Sequence, residues 1–343
     1  MGADVRTFKG RWRSILAASF ASAILAGCGA GPASEQGRAG DATLRIAVIP
    51  KGTTHEFWKA VHAGAARAAR ELDGVEIVYR GPEREDNREQ QVALVQNFIS
   101  SGVNAIVLAP LDVQALLQPV RMAGRAGIPV VVIDSGLAGE VGTDYVSYIA
   151  TDNLEGGRMA GQQMASLLGG AGRVLLLRHQ EGSESTMNRE RGFTEALAQH
   201  PGIELVDPKR YSGATSATAQ AAAESLLVTH GDVDGVFCAN ESSTFGMLLA
   251  LRGRGLAGSI RFIGFDASVP LVEALRVGEL HGLVLQNPMS MGYLGVTTAV
   301  AHLRGEPIER LVDTGVTLVT RDNMDDPVIA ELLSPDLSSY LEP

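Results

Sequence analysis

At 343 residues the chain is too long for one small module and too short for three ordinary domains, leaving one large sheet or two lobes of about 130–160 residues each. Its composition, 45% hydrophobic and 20% charged with two cysteines, excludes a disordered chain, a collagen-like repeat and a disulfide-stapled scaffold. The net charge of −10 argues against a nucleic-acid or anionic-membrane surface.

The first segment reads as a targeting element. Arg6, Lys9, Arg11 and Arg13 precede an apolar run from Ile15 to Leu25. A helix of that length rises about 16 Å against a hydrocarbon core of about 30 Å, so the run is a signal-peptide core and not a membrane span. It ends at Leu25-Ala26-Gly27-Cys28, which resembles the lipobox of bacterial lipoproteins. That resemblance implies a signal peptide over residues 1–27, cleavage before Cys28, and a diacylglycerol on the Cys28 thiol that anchors the exported protein to a membrane. A secretory signal that happens to end near a buried cysteine is the alternative. The segment carries four bases and one acid, so the remaining 316 residues stand at net −13. Residues 28–42 are small and polar without periodicity and read as a flexible tether. Gly29 leaves the choice of membrane, or of cell surface, open. No later stretch reaches 18 apolar residues, so the rest reads as a soluble body in the periplasm or at the cell surface.

From Thr43 onward the chain alternates strand and helix patterns. Apolar, β-branched runs at 44–50, 75–79, 104–110 and 129–134 predict strands. After the first of these, Phe57, Trp58, Val61, Ala65, Ala68, Ala69 and Leu72 recur at helical spacing. Further runs at 172–177, 203–211, 235–240, 260–266 and 281–287 repeat the scheme, with an alanine-rich helix over 215–228. Near-continuous apolar strands imply sheets wrapped by helices on both faces. Two successive doubly wound sheets predict an α/β protein of two lobes, in which ligands bind beyond the carboxyl ends of strands.

Those ends are polar: Asp134, Asn240, Asp266 and Gln286 each close a predicted strand. One such residue is an ordinary cap or turn former; four in register point to a site. Phe57 and Trp58, after Thr54-His55-Glu56, open a helix with two aromatic faces suited to the C–H face of a sugar ring, although burial in the core is the plainer reading. In Asn188-Arg189-Glu190-Arg191-Gly192-Phe193, a guanidinium with five donors in a plane suits adjacent hydroxyls or a carboxylate, as well as a surface ion pair. Asp152 or Asn153 can cap a helix whose Gly156 and Gly157 permit close packing.

The succession IAVIP…HEFW, GVNAIVLAPLD, AGIPVVVID, YIATDNLEGGRMAG, NRERGF, GVFCANE, FIGFD and LVLQNP resembles the periplasmic sugar-binding proteins of the ribose-binding type, over about residues 43–320. These are the substrate receptors of ABC importers for monosaccharides. The resemblance implies two Rossmann-like lobes of parallel sheets joined by a three-segment hinge, with crossings near Thr151, Gln286 and Gly315. The amino-terminal lobe would hold residues 43–151 plus 287–315, and the carboxy-terminal lobe with its tail 152–286 plus 316–343. Phe57 and Trp58 would sandwich the sugar, Asp134 would accept from hydroxyls, and Arg189 would donate to sugar oxygens. Asn240, Asp266 and Gln286 would complete the polar ring, and His55 stands where the family often has an asparagine. There are departures. Ala109 replaces a polar residue, Ser135 replaces an arginine, and Gly213-Ala214 stands where an aromatic is expected unless Tyr211 substitutes. They imply a sugar other than ribose, bulkier or less polar.

The implied partners are a monosaccharide, the membrane subunits of an ABC permease, and a membrane reached through Cys28. A monomer without nucleic acid, cofactor or metal is expected. A sugar-sensing receptor that reports occupancy to a membrane signalling partner shares the binding chemistry and is the alternative. An enzyme finds little support: no G-x-G-x-x-G follows a strand, no Walker A or G-x-S-x-G elbow occurs, and His55 and His62 lack the zinc spacing. A repressor of the lactose type needs a helix-turn-helix where the signal peptide stands. Asp322, Asp325 and Asp326 lack the spacing of a calcium loop, and Cys238, in an apolar strand, reads as an inert core thiol. The tail over 321–343 exceeds what the fold needs and is expected to pack along a lobe.

Overall fold

The strand runs become strands because they lose water on both faces. In the computed structural model, which describes residues 43–341, the elements alternate in chain order. The first half forms β1 (Leu44–Ile49), α1 (Glu56–Glu71), β2 (Val75–Tyr79), α2 (Arg88–Ser100), β3 (Ala105–Leu108), α3 (Leu117–Arg125), β4 (Val130–Ile133) and β5 (Ser147–Ala150). There follow α4 (Asn153–Leu167), β6 (Ala171–Leu177), α5 (Glu184–Leu197), β7 (Gly202–Val206), α6 (Ser216–Thr229), β8 (Gly235–Cys238), α7 (Glu241–Gly253), β9 (Arg261–Phe265), α8 (Val269–Val277) and β10 (Gly282–Leu285). The chain ends with α9 (Pro288–Leu303), β11 (Leu311–Asp313), β12 (Thr317–Val319) and α10 (Pro327–Leu333). The expected signal peptide, the lipobox Cys28 and the tether lie outside the described residues.

Two six-stranded sheets result, ordered β11-β5-β4-β3-β1-β2 and β12-β10-β9-β8-β6-β7. All pairings are parallel except β10 with β12. The chain passes from one sheet to the other between β5 and α4, between β10 and α9, and between β11 and β12. Every residue of β3, β4, β8 and β10 is buried, each apolar side chain contributing about 25 cal/mol per Å² removed from water. In the first sheet one face packs on α1 and α9, the other on α2 and α3. In the second, α4 and α5 cover one face and α6, α7, α8 and α10 the other.

The strand reading over 203–211 holds only to Val206. Asp207 takes a φ of 40° and Pro208 has no N–H to continue the ladder, so the chain turns away. The alanine-rich helix starts at Ser216, where Thr215 and Thr218 form a reciprocal capping box. Gly157 decides the distance between α4 and α5: a Cβ there would lie 1.9 Å from the carbonyl oxygen of Arg189. The two helices therefore approach closely enough for Asn153 to hold the Arg189 side chain.

Candidate functional site

The carboxyl ends of the two sheets face each other across a small polar cavity. Eight of the nine residues expected from sequence line it: His55, Phe57, Trp58, Asp134, Arg189, Asn240, Asp266 and Gln286. Ser135 does not. Its side chain is fully buried behind the wall, where its Oγ accepts from the Ser185 N–H at 3.0 Å. Tyr211 does not substitute for the missing aromatic: it is exposed, with the Arg178 guanidinium 6.0 Å from its ring. Ala109 is buried in the core under α1.

Backbone geometry aims the two aspartates. Asp134 follows β4 and Asp266 follows β9, and both adopt left-handed conformations, with φ of 64° and 68°. Aspartate tolerates this region better than most residues. Each is held there by a strand-end bond, Asp134 N–H to Ile149 O at 3.0 Å and Asp266 N–H to Val284 O at 2.9 Å. The turn swings both carboxylates into the cavity.

Around them the walls are charged. Lys51, the residue after Pro50 at the end of β1, places Nζ 2.7 Å from Asp134 Oδ2 and reaches across to Ser185 Oγ at 2.9 Å. Arg189 donates through Nε to Asn153 Oδ1 at 2.8 Å and through Nη1 to the Ala239 carbonyl at 2.9 Å. Its guanidinium lies 3.9 Å from the centre of the Phe265 ring and 3.8 Å from Asp266 Oδ2. Asp266 accepts from Gln286 Nε2 at 2.7 Å and from the Glu241 N–H at 3.2 Å. Burial pushes its pKa up.

Glu85 and Glu241 join the two sides. Glu85 accepts from the Trp58 indole N–H and lies 3.0 Å from His55 Nδ1 and 2.9 Å from His179 Nε2, the latter from the opposite sheet. Burial alone would raise Glu85, but His55 and His179 outweigh it and hold its carboxyl well below the usual range. Burial likewise opposes charge on His55, yet Glu85 overrides it and raises the imidazole to about 9. Glu241 reaches from the first turn of α7 to the start of α1 and accepts from the Phe57 N–H at 3.0 Å and the Glu56 N–H at 3.3 Å. His55, at the cap position, makes no side-chain cap bond; the Glu241 carboxylate takes the first N–H groups of α1 in its place. Burial raises Glu241 to about 7.

Asp134 Oδ2 and Gln286 Oε1 are buried without an aligned hydrogen bond, and both are acceptors. Phe57 and Trp58 stand edge to face, centroids 4.8 Å apart at 90°, so they present perpendicular faces and not two parallel plates. The site thus combines ring faces, carboxylate acceptors and a guanidinium, a mixture that suits a compact polyhydroxyl molecule. No cluster of three or more metal-ligating side chains occurs among the described residues.

Residues 46–307 match the model of a periplasmic binding protein domain. The chain belongs to that family. It is 30% identical over 281 residues to the ribose import binding protein RbsB of Escherichia coli (strain K12), covering 80% of this chain and 90% of the other. It is 25% identical over 314 residues to the xylitol-binding protein of Mycolicibacterium smegmatis, covering 91% and 86%. Among solved structures, an ABC transporter solute-binding protein from Agrobacterium vitis with bound D-fucose superposes with a TM-score of 0.82 at 36% identity, covering 84% of this chain and 99% of that one. The ribose-type periplasmic binding proteins thus give this family member its fold, and they are substrate-binding transport proteins, not enzymes.

Proposed function

We propose that this protein is the substrate-binding component of an ABC importer and captures one monosaccharide between its lobes. The observation that carries the reading is the cavity at the facing strand ends, where Asp134, Asp266, Gln286 and Arg189 converge on the faces of Phe57 and Trp58. Relatives that bind ribose and a neighbour holding D-fucose support it. Each hydroxyl that loses water on entry needs a partner, and an unpaired buried group costs about 1–3 kcal/mol, so the acceptor pattern selects among epimers. His55 contributes through Glu85, and Ser135 by bridging the lobes behind the wall. The lobes are residues 43–151 with 287–315 and residues 152–286 with 316 onward. They close about the three crossings because the ligand touches both only when closed. The closed form is then what the permease recognises. The mature chain begins at a lipidated Cys28 and works as an exported, membrane-anchored monomer that binds no nucleic acid.

Thermal melts of the mature chain with pentoses, hexoses, their deoxy forms and polyols test the reading. D-Ribose, D-fucose and xylitol are the first probes, and at least one sugar of the panel raises Tm and binds at micromolar or tighter affinity. A panel in which no sugar shifts the transition, while a peptide or nucleotide does, overturns it.

A further inference from the structure

The segment after α10 is anchored at both ends, and the anchors lie on different sheets' sides of the cleft. At one end, Leu333 is buried in the core under β8, β10, α7 and α8, with Ile329 and Leu332 packed against the same core. At the other, Arg70 in the last turn of α1 donates through Nη1 to the Ser339 carbonyl and through Nη2 to the Tyr340 carbonyl at 3.0 Å. Its guanidinium also lies 5.8 Å from the centre of the Tyr340 ring. Asp336 ties the intervening chain into a turn by accepting from Ser338 and Ser339.

Between these anchors Ser334, Pro335 and Leu337 of the segment line one wall of a chamber. The facing wall includes Phe57 and Ala60 of α1 together with Asp266 and Gln286, so the chamber adjoins the sugar cavity across three shared side chains. The segment therefore covers one flank of the cleft and rests over open space, not on a packed core. Its contacts with Arg70 are exposed. Separating the lobes would pull one anchor from the other, and the solvent-exposed bonds to Arg70 are the ones that yield.

We propose that residues 334–341 form a strap, a non-covalent fourth link between the lobes that favours the closed state and slows ligand release. It adds to the three covalent crossings, which lie elsewhere in the chain. The strap needs no particular ligand to act.

Hydrogen exchange of the full-length, ligand-free protein tests it. Four of the amides that donate across the cleft serve as reporters: Phe57 to Glu241 at 3.0 Å, Val113 to Gly182 O at 2.9 Å, Gly136 to Glu184 Oε2 at 2.8 Å, and Ser185 to Ser135 Oγ at 3.0 Å. They exchange when the lobes part. Arg70→Ala removes both carbonyl bonds from an exposed helical position, and a chain ending at Pro335 removes the strap while keeping α10. Both variants are expected to exchange these four amides about five-fold faster, the factor for one net hydrogen bond, with β3 and β8 unchanged. Unaltered exchange at the four amides in both variants overturns the proposal. So does acceleration confined to α10 and its core, which would make the segment a stabiliser of its own lobe. Failure of every sugar to bind would sink the proposed function and leave this test standing.

Discussion

Asp266 and Arg189 lie 3.8 Å apart in the same wall, yet they are different kinds of probe. Arg189 is a structural post as well as a donor, engaging Asn153, Ala239 and Phe265. Its truncation strands buried partners, at about 3–5 kcal/mol for a broken buried pair, so Arg189→Ala is expected to lower Tm along with affinity. Asp266→Asn keeps the shape and tolerates the positive φ. It offers one accepting oxygen where Asp266 uses two, for Gln286 and Glu241, and is expected to weaken sugar binding about 10- to 100-fold in calorimetry with a smaller fall in Tm than Arg189→Ala; undiminished affinity would remove Asp266 from the ligand's partners. The His55–Glu85 pair carries a pH signature. His55 is raised from 6.5 to about 9 in the folded protein, so its stabilisation is complete below about pH 6.5 and is lost as pH rises through about 9. Melts across that window are expected to show a falling Tm, and His55→Gln to flatten the fall; a wild-type curve that stays level there speaks against the ion pair. Strand-end polarity made Asp134, Asn240, Asp266 and Gln286 legible in the sequence. The same rule points at Lys51, which Pro50 and the following Gly52 disguised as part of a turn. Glu85 was illegible: in GPEREDNRE it is one of several charges in what reads as a solvated loop, and only tertiary packing singles it out. Glu241 stands in the first turn of α7, yet its carboxylate serves α1.

At the scale of elements, the two halves repeat one plan. β4 and β9 are each the fourth strand of their half, and each delivers an aspartate with positive φ. The apolar runs disclosed this plan because short β-branched stretches without alternation, bounded by turn residues, fit strands covered on both faces. β5, β11 and β12 were not legible, since each is short, carries a polar residue and is only partly buried. What positions Arg189 is the helix pair beneath it. A methyl group at Gly157 would meet the Arg189 carbonyl at 1.9 Å, so Gly157→Ala forces α4 and α5 apart and pulls the guanidinium out of line. We expect a loss of about 1–3 kcal/mol in stability together with weaker sugar binding, read from denaturant melts and calorimetry. A variant as stable and as tight as the wild type would show that the pair has room to spare.

Across the whole molecule, direct bonds between the halves stabilise closure. Glu184, outside the cavity wall, accepts the Gly136 N–H at 2.8 Å. Glu184→Ala is therefore expected to raise the apparent Kd about 2- to 10-fold by reducing the closed population, without altering which sugar is preferred; a changed preference order would place Glu184 in the site itself. The route of the chain has a separate consequence for how the molecule is made. α9 and β11 belong to the first sheet's side but come after five of the second sheet's six strands have been threaded. Until residues 288–313 emerge, α1 lacks the helix that buries its apolar face, and β5 lacks its outer neighbour. The first half to be synthesised is thus among the last to be completed.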